Sequence, residues 1–203
     1  MLKTFLSKVL KTTTLPEAVE NNDVQKVRQL LDKGQHPNTP ENRYAIIMAC
    51  VKGNAEILKM LLDSGADVDA IDNFGTGLTA LTIAAQQDNF DIVKMLLDRG
   101  ADVNACGFQR LRTPLMNASW GSSSRTVSLL LDRGADVNQR DKYGYTALML
   151  AASQGRHDIA RLLLDNGADP NAACNEGIST LGLAQAMGHQ NVVALLVERG
   201  ARV

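Results

Sequence analysis

The side chains best suited to chemistry in this 203-residue chain are few and scattered. Histidines stand only at His36, His157 and His189, and cysteines only at Cys50, Cys106 and Cys174. No pair among them has the short spacing of a metal site, and no cysteine has a partner nearby. Neither a glycine-rich phosphate loop nor a nucleophile elbow is present. The aspartates Asp67, Asp102, Asp136 and Asp169 recur at one fixed place and read as turn residues. A second set of side chains suits recognition instead. Phe108, Trp120, Tyr143 and Tyr145 are four of the eight aromatics, and Arg110, Arg112, Arg140 and Lys142 lie among them. Rings beside guanidinium groups are what the anchors of protein interfaces are made of. The same combination can also stack bases and hold phosphates.

What must position these groups is a repeated nonapeptide. Its clearest copy is Leu96-Leu97-Asp98-Arg99-Gly100-Ala101-Asp102-Val103-Asn104, and strong copies begin at Leu61, Leu130 and Leu163. Weaker copies begin at Leu30 and Leu196. The leucine pair faces a core at helical spacing, the glycine stops the helix in a left-handed conformation, and the last four residues run extended into a loop. The glycines fall at 34, 65, 100, 134, 167 and 200, with intervals of 31, 35, 34, 33 and 33. A fixed period near 33 marks a stacked solenoid whose units touch only their neighbours.

Between these copies lie short helical segments opened by a capping hydroxyl, namely Thr79-Ala80-Leu81, Thr113-Pro114-Leu115, Thr146-Ala147-Leu148 and Ser179-Thr180-Leu181. Leucine packs toward the neighbouring unit, and paired alanines such as Ala84-Ala85 and Ala151-Ala152 let helices approach closely. Gly53, Gly155 and Gly188 allow the turn into a second helix. Residues 1–14 read as an amphipathic helix with Leu2, Phe5, Leu6, Val9 and Leu10 on one face. It is expected to cap the exposed core of the first unit. The alternative is a membrane-surface or partner-docking helix, because Lys3, Lys8 and Lys11 lie opposite.

These segments together resemble the ankyrin-repeat family, whose pattern is Thr-Pro-Leu-His-x-Ala-Ala in the first helix and Leu-Leu-x-x-Gly-Ala-Asp-x-Asn at the exit of the second. Thr113-Pro114-Leu115 and the four strong nonapeptides carry the likeness, which covers residues 15–203 as a single domain. The repeats span about 15–38, 39–70, 71–105, 106–139, 140–172 and 173–203. The resemblance implies an all-α solenoid of antiparallel helix pairs joined by β-hairpin loops, curved so that its concave face binds proteins. The chain departs from the pattern at the family's histidine, where Ile47, Thr82, Met116, Met149 and Gly182 stand. This should weaken or rearrange hydrogen bonding from the first helix. Repeat three carries two extra residues around Phe74-Gly75-Thr76-Gly77, and repeat four replaces the glycine turn with Gly121-Ser122-Ser123-Ser124. Repeat six is expected to serve as the C-terminal cap.

Lys+Arg 21 against Asp+Glu 22 leave a net charge of -1, which argues against nucleic acid. The sparse, odd cysteine set points to a reducing compartment, no apolar run reaches the ~20 residues of a membrane span, and no secretory leader is seen. The expectation is a cytoplasmic, monomeric, non-catalytic interaction module or scaffold with no cofactor or metal. In the family, hairpin tips and the ends of first helices face the groove. Carried onto repeats three to five, this gives Phe74, Leu78, Phe108, Arg110, Arg112, Trp120, Lys142, Tyr143, Tyr145 and Gln154. The expected partner is another protein, through a segment carrying acidic and apolar residues. The alternative is a nucleotide or single-stranded RNA on the same aromatic and basic cluster.

Overall fold

A computed structural model describes residues 13–72, 75, 77–121 and 123–202. The proposed helix over 1–14 therefore lies almost wholly outside the described residues. Among the described residues six layers of two helices follow one another. Helices α1 (Leu15–Glu20) and α2 (Val24–Asp32) form the first, and α3 (Ala45–Lys52) and α4 (Ala55–Asp63) the second. Then come α5 (Ala80–Gln86) with α6 (Phe90–Asp98), α7 (Pro114–Gly121) with α8 (Ser124–Asp132), α9 (Ala147–Ser153) with α10 (His157–Asp165), and α11 (Thr180–Ala186) with α12 (Gln190–Glu198). Odd-numbered helices pack on one another in a row, even-numbered helices form a second row, and each helix packs on its partner in the layer. The fold is an all-α solenoid. Its loops are less sheet-like than the sequence suggested, because the described residues form only isolated bridges, Ile71 with Thr79 and Ala173 with Ser179. The first encloses seven residues and the second five, which locates the two extra residues of repeat three.

The odd row is the more deeply buried. Every residue from Ala80 to Ala85, and from Ala147 to Ala152, is buried, so small side chains set the distance between layers. Hydroxyls start these helices as expected: Thr79, Thr146 and Ser179 accept the backbone N–H three residues on, and Thr113 accepts that of Met116. Thr14 and Glu17 form a reciprocal capping box on α1. At the missing-histidine positions, Met116 and Met149 fill the core, and Thr82 Oγ1 bonds the capping Thr79 Oγ1 at 2.8 Å. The even helices bury one face only, as Ile92, Val93 and Leu96 do in α6.

Each even helix ends in the same double bond. At α6, Gly100 N–H donates to Leu97 C=O at 3.1 Å and Ala101 N–H to Leu96 C=O at 3.0 Å, with Gly100 at φ +85°. This is the Schellman closure, and it needs a residue that tolerates positive φ. The aspartate that follows turns the chain: Asp102, Asp136 and Asp169 each accept the N–H two residues on at 2.9 Å. In repeat one His36 Nδ1 does the same for Asn38 N–H at 3.2 Å.

The closing Asn or Asp of the nonapeptide bonds to the next layer. Asn38, Asp69, Asn104, Asn138 and Asn171 each accept the N–H of the corresponding residue one repeat on: Asp67, Asp102, Asp136, Asp169 and Arg202. Asn138 also donates its amide to Gly167 C=O at 3.0 Å. Beside this line, Arg99 reaches Asp63, Arg133 reaches Asp98 and Arg199 reaches Asp165 at 2.7–2.8 Å. Those pairs are exposed and worth at most about 1 kcal/mol each. The Asp98 carboxyl is held below its ordinary range, chiefly by the Lys94 hydrogen bond and then by that of Arg133. Replacing Asn138 by Ala removes two inter-layer bonds and should cost about 1–3 kcal/mol. Urea denaturation will show the loss, and Asn138→Asp, which keeps the acceptor, should fall between the variant and the wild type.

Candidate protein-binding surface

The loops leading into the odd helices lock to one another along one edge of the stack. Gln109 Nε2 donates to Gly75 C=O at 2.9 Å, Lys142 N–H to Arg110 C=O at 2.9 Å, and Asn175 N–H to Tyr143 C=O at 2.9 Å. The Phe108 ring lies against Gly77, where a Cβ would collide with it. Among the described residues the tips of repeats three to six are thus bonded in series.

Asp141 organises the middle of that series. Its side chain is fully buried, and Oδ1 accepts the N–H groups of Tyr143 and Tyr145, both at 2.9 Å. Its Oδ2 pairs with Arg112 Nε at 3.5 Å. The Arg112 guanidinium in turn lies 5.3 Å from the centroid of the Trp120 ring, at the end of α7. Trp120 is 44% exposed, although its neighbours Ala118 and Ser119 are wholly buried. Phe108 and Tyr143 are also exposed, and Lys142 Nζ lies 5.9 Å from the Tyr143 ring. Arg140 is taken up by the fold, donating to Ala173 C=O at 2.8 Å. Arg110 is exposed and has no ion-pair partner among the described residues.

The remaining residues of the expected site sit differently. Tyr145 is half-buried and packs on Met149, Ala172, Cys174 and Leu183. Burial pushes its phenol above the ordinary range, with Cys174 and Glu176 adding to the shift. Leu78 is half-buried against the core and donates its N–H to Asp72 Oδ2 at 3.0 Å. Gln154 caps α9, its amide 3.4 Å from Ser153 Oγ. Phe74 lies outside the described residues.

The sequence held little sign of two features. Leu111 has φ +54° at the tip of repeat four, the position of Gly144 (φ +82°) and Gly177 (φ +78°) in the next two repeats. It is exposed as well. A left-handed leucine is strained, and such strain collects where a side chain is needed for something other than folding. Asp88 takes φ +55° in the turn between α5 and α6, and its Oδ1 accepts from Ser123 and Thr126 of the next layer.

Two histidines and one cysteine are engaged by the fold. His157 contacts Asp158 and Arg161, and His189 Nε2 lies 3.2 Å from Ser153 C=O. Burial pushes the Cys50 thiol up to about 12, leaving almost no thiolate near neutrality. Among the described residues no three His, Cys, Asp or Glu side chains gather to hold a metal, and no helix is long and apolar enough to cross a membrane.

A family model described as ankyrin repeats, three copies, matches residues 15–106 and again residues 115–203. No curated protein matches the chain.

Two outcomes follow from this geometry. Leu111→Gly should raise the unfolding midpoint by relieving up to about 1 kcal/mol of left-handed strain. The emission of Trp120, the sole tryptophan, should be red-shifted and readily quenched by iodide in the native protein. Blue-shifted, protected emission would place the ring in a core.

Proposed function

Since the chain belongs to the ankyrin-repeat family, whose members are generally protein-interaction modules and typically non-catalytic, we propose that it works without catalysis as an adaptor. It holds a partner protein along the hairpin tips and first-helix ends of repeats three to five. The observation that carries this reading is the exposed row Phe108, Leu111, Trp120 and Tyr143, set beside Arg110 and Lys142 on a rigid edge. Large apolar side chains that a fold leaves outside, gathered on one face with cations between them, have the make-up of an interface centre. Their loops are already bonded in series, so little conformational freedom remains to be lost on binding.

The partner segment is acidic and apolar. Arg110 and Lys142 are uncommitted cations, while the rings and Leu111 supply apolar contact. A nucleic-acid ligand is less well served. Arg112 is paired with Asp141 and Arg140 with a backbone carbonyl, which leaves too few free cations to track a phosphate backbone. Three free cysteines, two of them buried, suit a reducing compartment such as the cytoplasm.

Random peptides displayed on phage and selected on the whole protein supply a probe. The Trp120→Ala, Tyr143→Ala double variant should lose capture of the selected peptides by at least tenfold while keeping the wild-type unfolding midpoint within a few degrees. Undiminished capture would move the site off this face. A titration with a poly(U) oligonucleotide should show no saturable binding at physiological salt; tight, steeply salt-dependent binding would favour the RNA reading.

A further inference from the structure

Between the tip of repeat four and helices α5 and α7 lies a pocket of about 220 Å³, bordered by Gln86, Arg110, Arg112 and Asn117 and walled by Leu78 and Leu111. Asn117 is the unusual member. It lies within α7 with only 9% of its surface exposed, and its amide has no hydrogen-bond partner among the described residues. Buried polar groups elsewhere in this row are satisfied. Ser119 Oγ donates to Leu115 C=O at 2.7 Å, and Thr82 Oγ1 pairs with Thr79. Among the described residues no buried side-chain nitrogen or oxygen lacks a partner, so the Asn117 amide is not sealed in the core; it opens on the pocket, where a ligand can take up its hydrogen bonds.

The lining also has a sign. Among the described residues no carboxylate borders the pocket, whereas two guanidinium groups and the amides of Gln86, Gln109 and Asn117 do, that of Gln109 already spent on Gly75. Asp141 already draws on Arg112 from one side through Nε, which leaves close to one uncompensated positive charge, that of Arg110. One positive charge with amide donors suits a monoanion, and a dianionic phosphate would need more. Leu78 and Leu111 offer apolar walls for the methylenes behind the charge, and Leu111 keeps its place at the rim in spite of its positive φ.

We propose that this pocket receives the carboxylate side chain of one glutamate or aspartate in an extended partner segment. The acid sits on Arg110, the free edge of Arg112 and the Asn117 amide, and so sets the register of the segment along the tips. The proposal rests on the protein-binding reading above and adds to it the residue that is selected.

The test uses the phage-selected peptides on the whole protein. Their sequences should share one acidic position flanked by apolar residues. The best peptide, synthesised with that acid as Glu and as Gln, should bind the wild type at least tenfold more tightly in the Glu form. In Arg110→Gln the Glu preference should shrink to about threefold or less, and in Asn117→Leu the Glu peptide should lose more affinity than the Gln peptide. Arg110 is exposed, so its variant tests the pocket even if the buried Asn117→Leu unfolds. Selected peptides with no shared acid, equal affinity of the Glu and Gln forms, or a Glu preference unchanged in Arg110→Gln would each overturn the pocket. Binding that survives Trp120→Ala, Tyr143→Ala would instead overturn the surface reading. Loss in that double variant together with indifference to Glu→Gln would sink the pocket alone.

Discussion

One hydrogen bond, repeated, fixes how each layer of this chain sits on the next. A side-chain oxygen at the end of each nonapeptide accepts a backbone N–H of the following layer, as Asn104 does for Asp136 and Asn138 for Asp169. Apolar packing between odd helices supplies most of the attraction, but it is tolerant of sliding. The carboxamide bond is directional and fixes the register of one layer on the next. At Asp69 the same place is filled by an acceptor that lacks the amide donor, so this position gives the joint between repeats two and three one bond, beside the Arg99–Asp63 pair and the Gln87 amide on Val51 C=O. Because layers touch only their neighbours, these joints set the cooperativity of the fold one interface at a time.

With the register set, the tips come into line as a consequence. Each tip bonds the next, from repeat three to four through the Gln109 side chain and onward through backbone groups, and large side chains beside those bonds are left exposed. Phe108 and Tyr143 stand there, with Trp120 exposed at the end of α7, while Tyr145 two residues past Tyr143 turns inward onto Met149 and Cys174. A difference of two residues along a tip separates a ring that faces outward from one that extends the core. The free energy lost at Leu111 is small against the packing of six layers, which is why the fold tolerates it.

Much of the architecture was legible beforehand, and the reasons are physical. Periodic glycines, capping hydroxyls and alanine pairs answer to local backbone demands, and local demands leave a mark in local sequence. The role of Asp102, Asp136 and Asp169 was readable for the same cause. What escaped was whatever depends on the layer next door. The nonapeptide's last residue looks like a turn former, and its partner lies 31–33 residues on in four of the five joints and 29 in the first. Asp88 gives no hint that it occupies the left-handed place taken by glycine in other repeats. Asn117 reads as an unremarkable helical residue until its surroundings are known. Arg112 and Lys142 look alike in sequence, and only the buried Asp141 carboxylate separates them.

That carboxylate has a mechanical side. One of its oxygens grips Arg112 of repeat four, and the other grips the two amides that shape the tip of repeat five. Neighbouring repeats thus share a single buried anchor, held by a side chain of one and by the loop of the next.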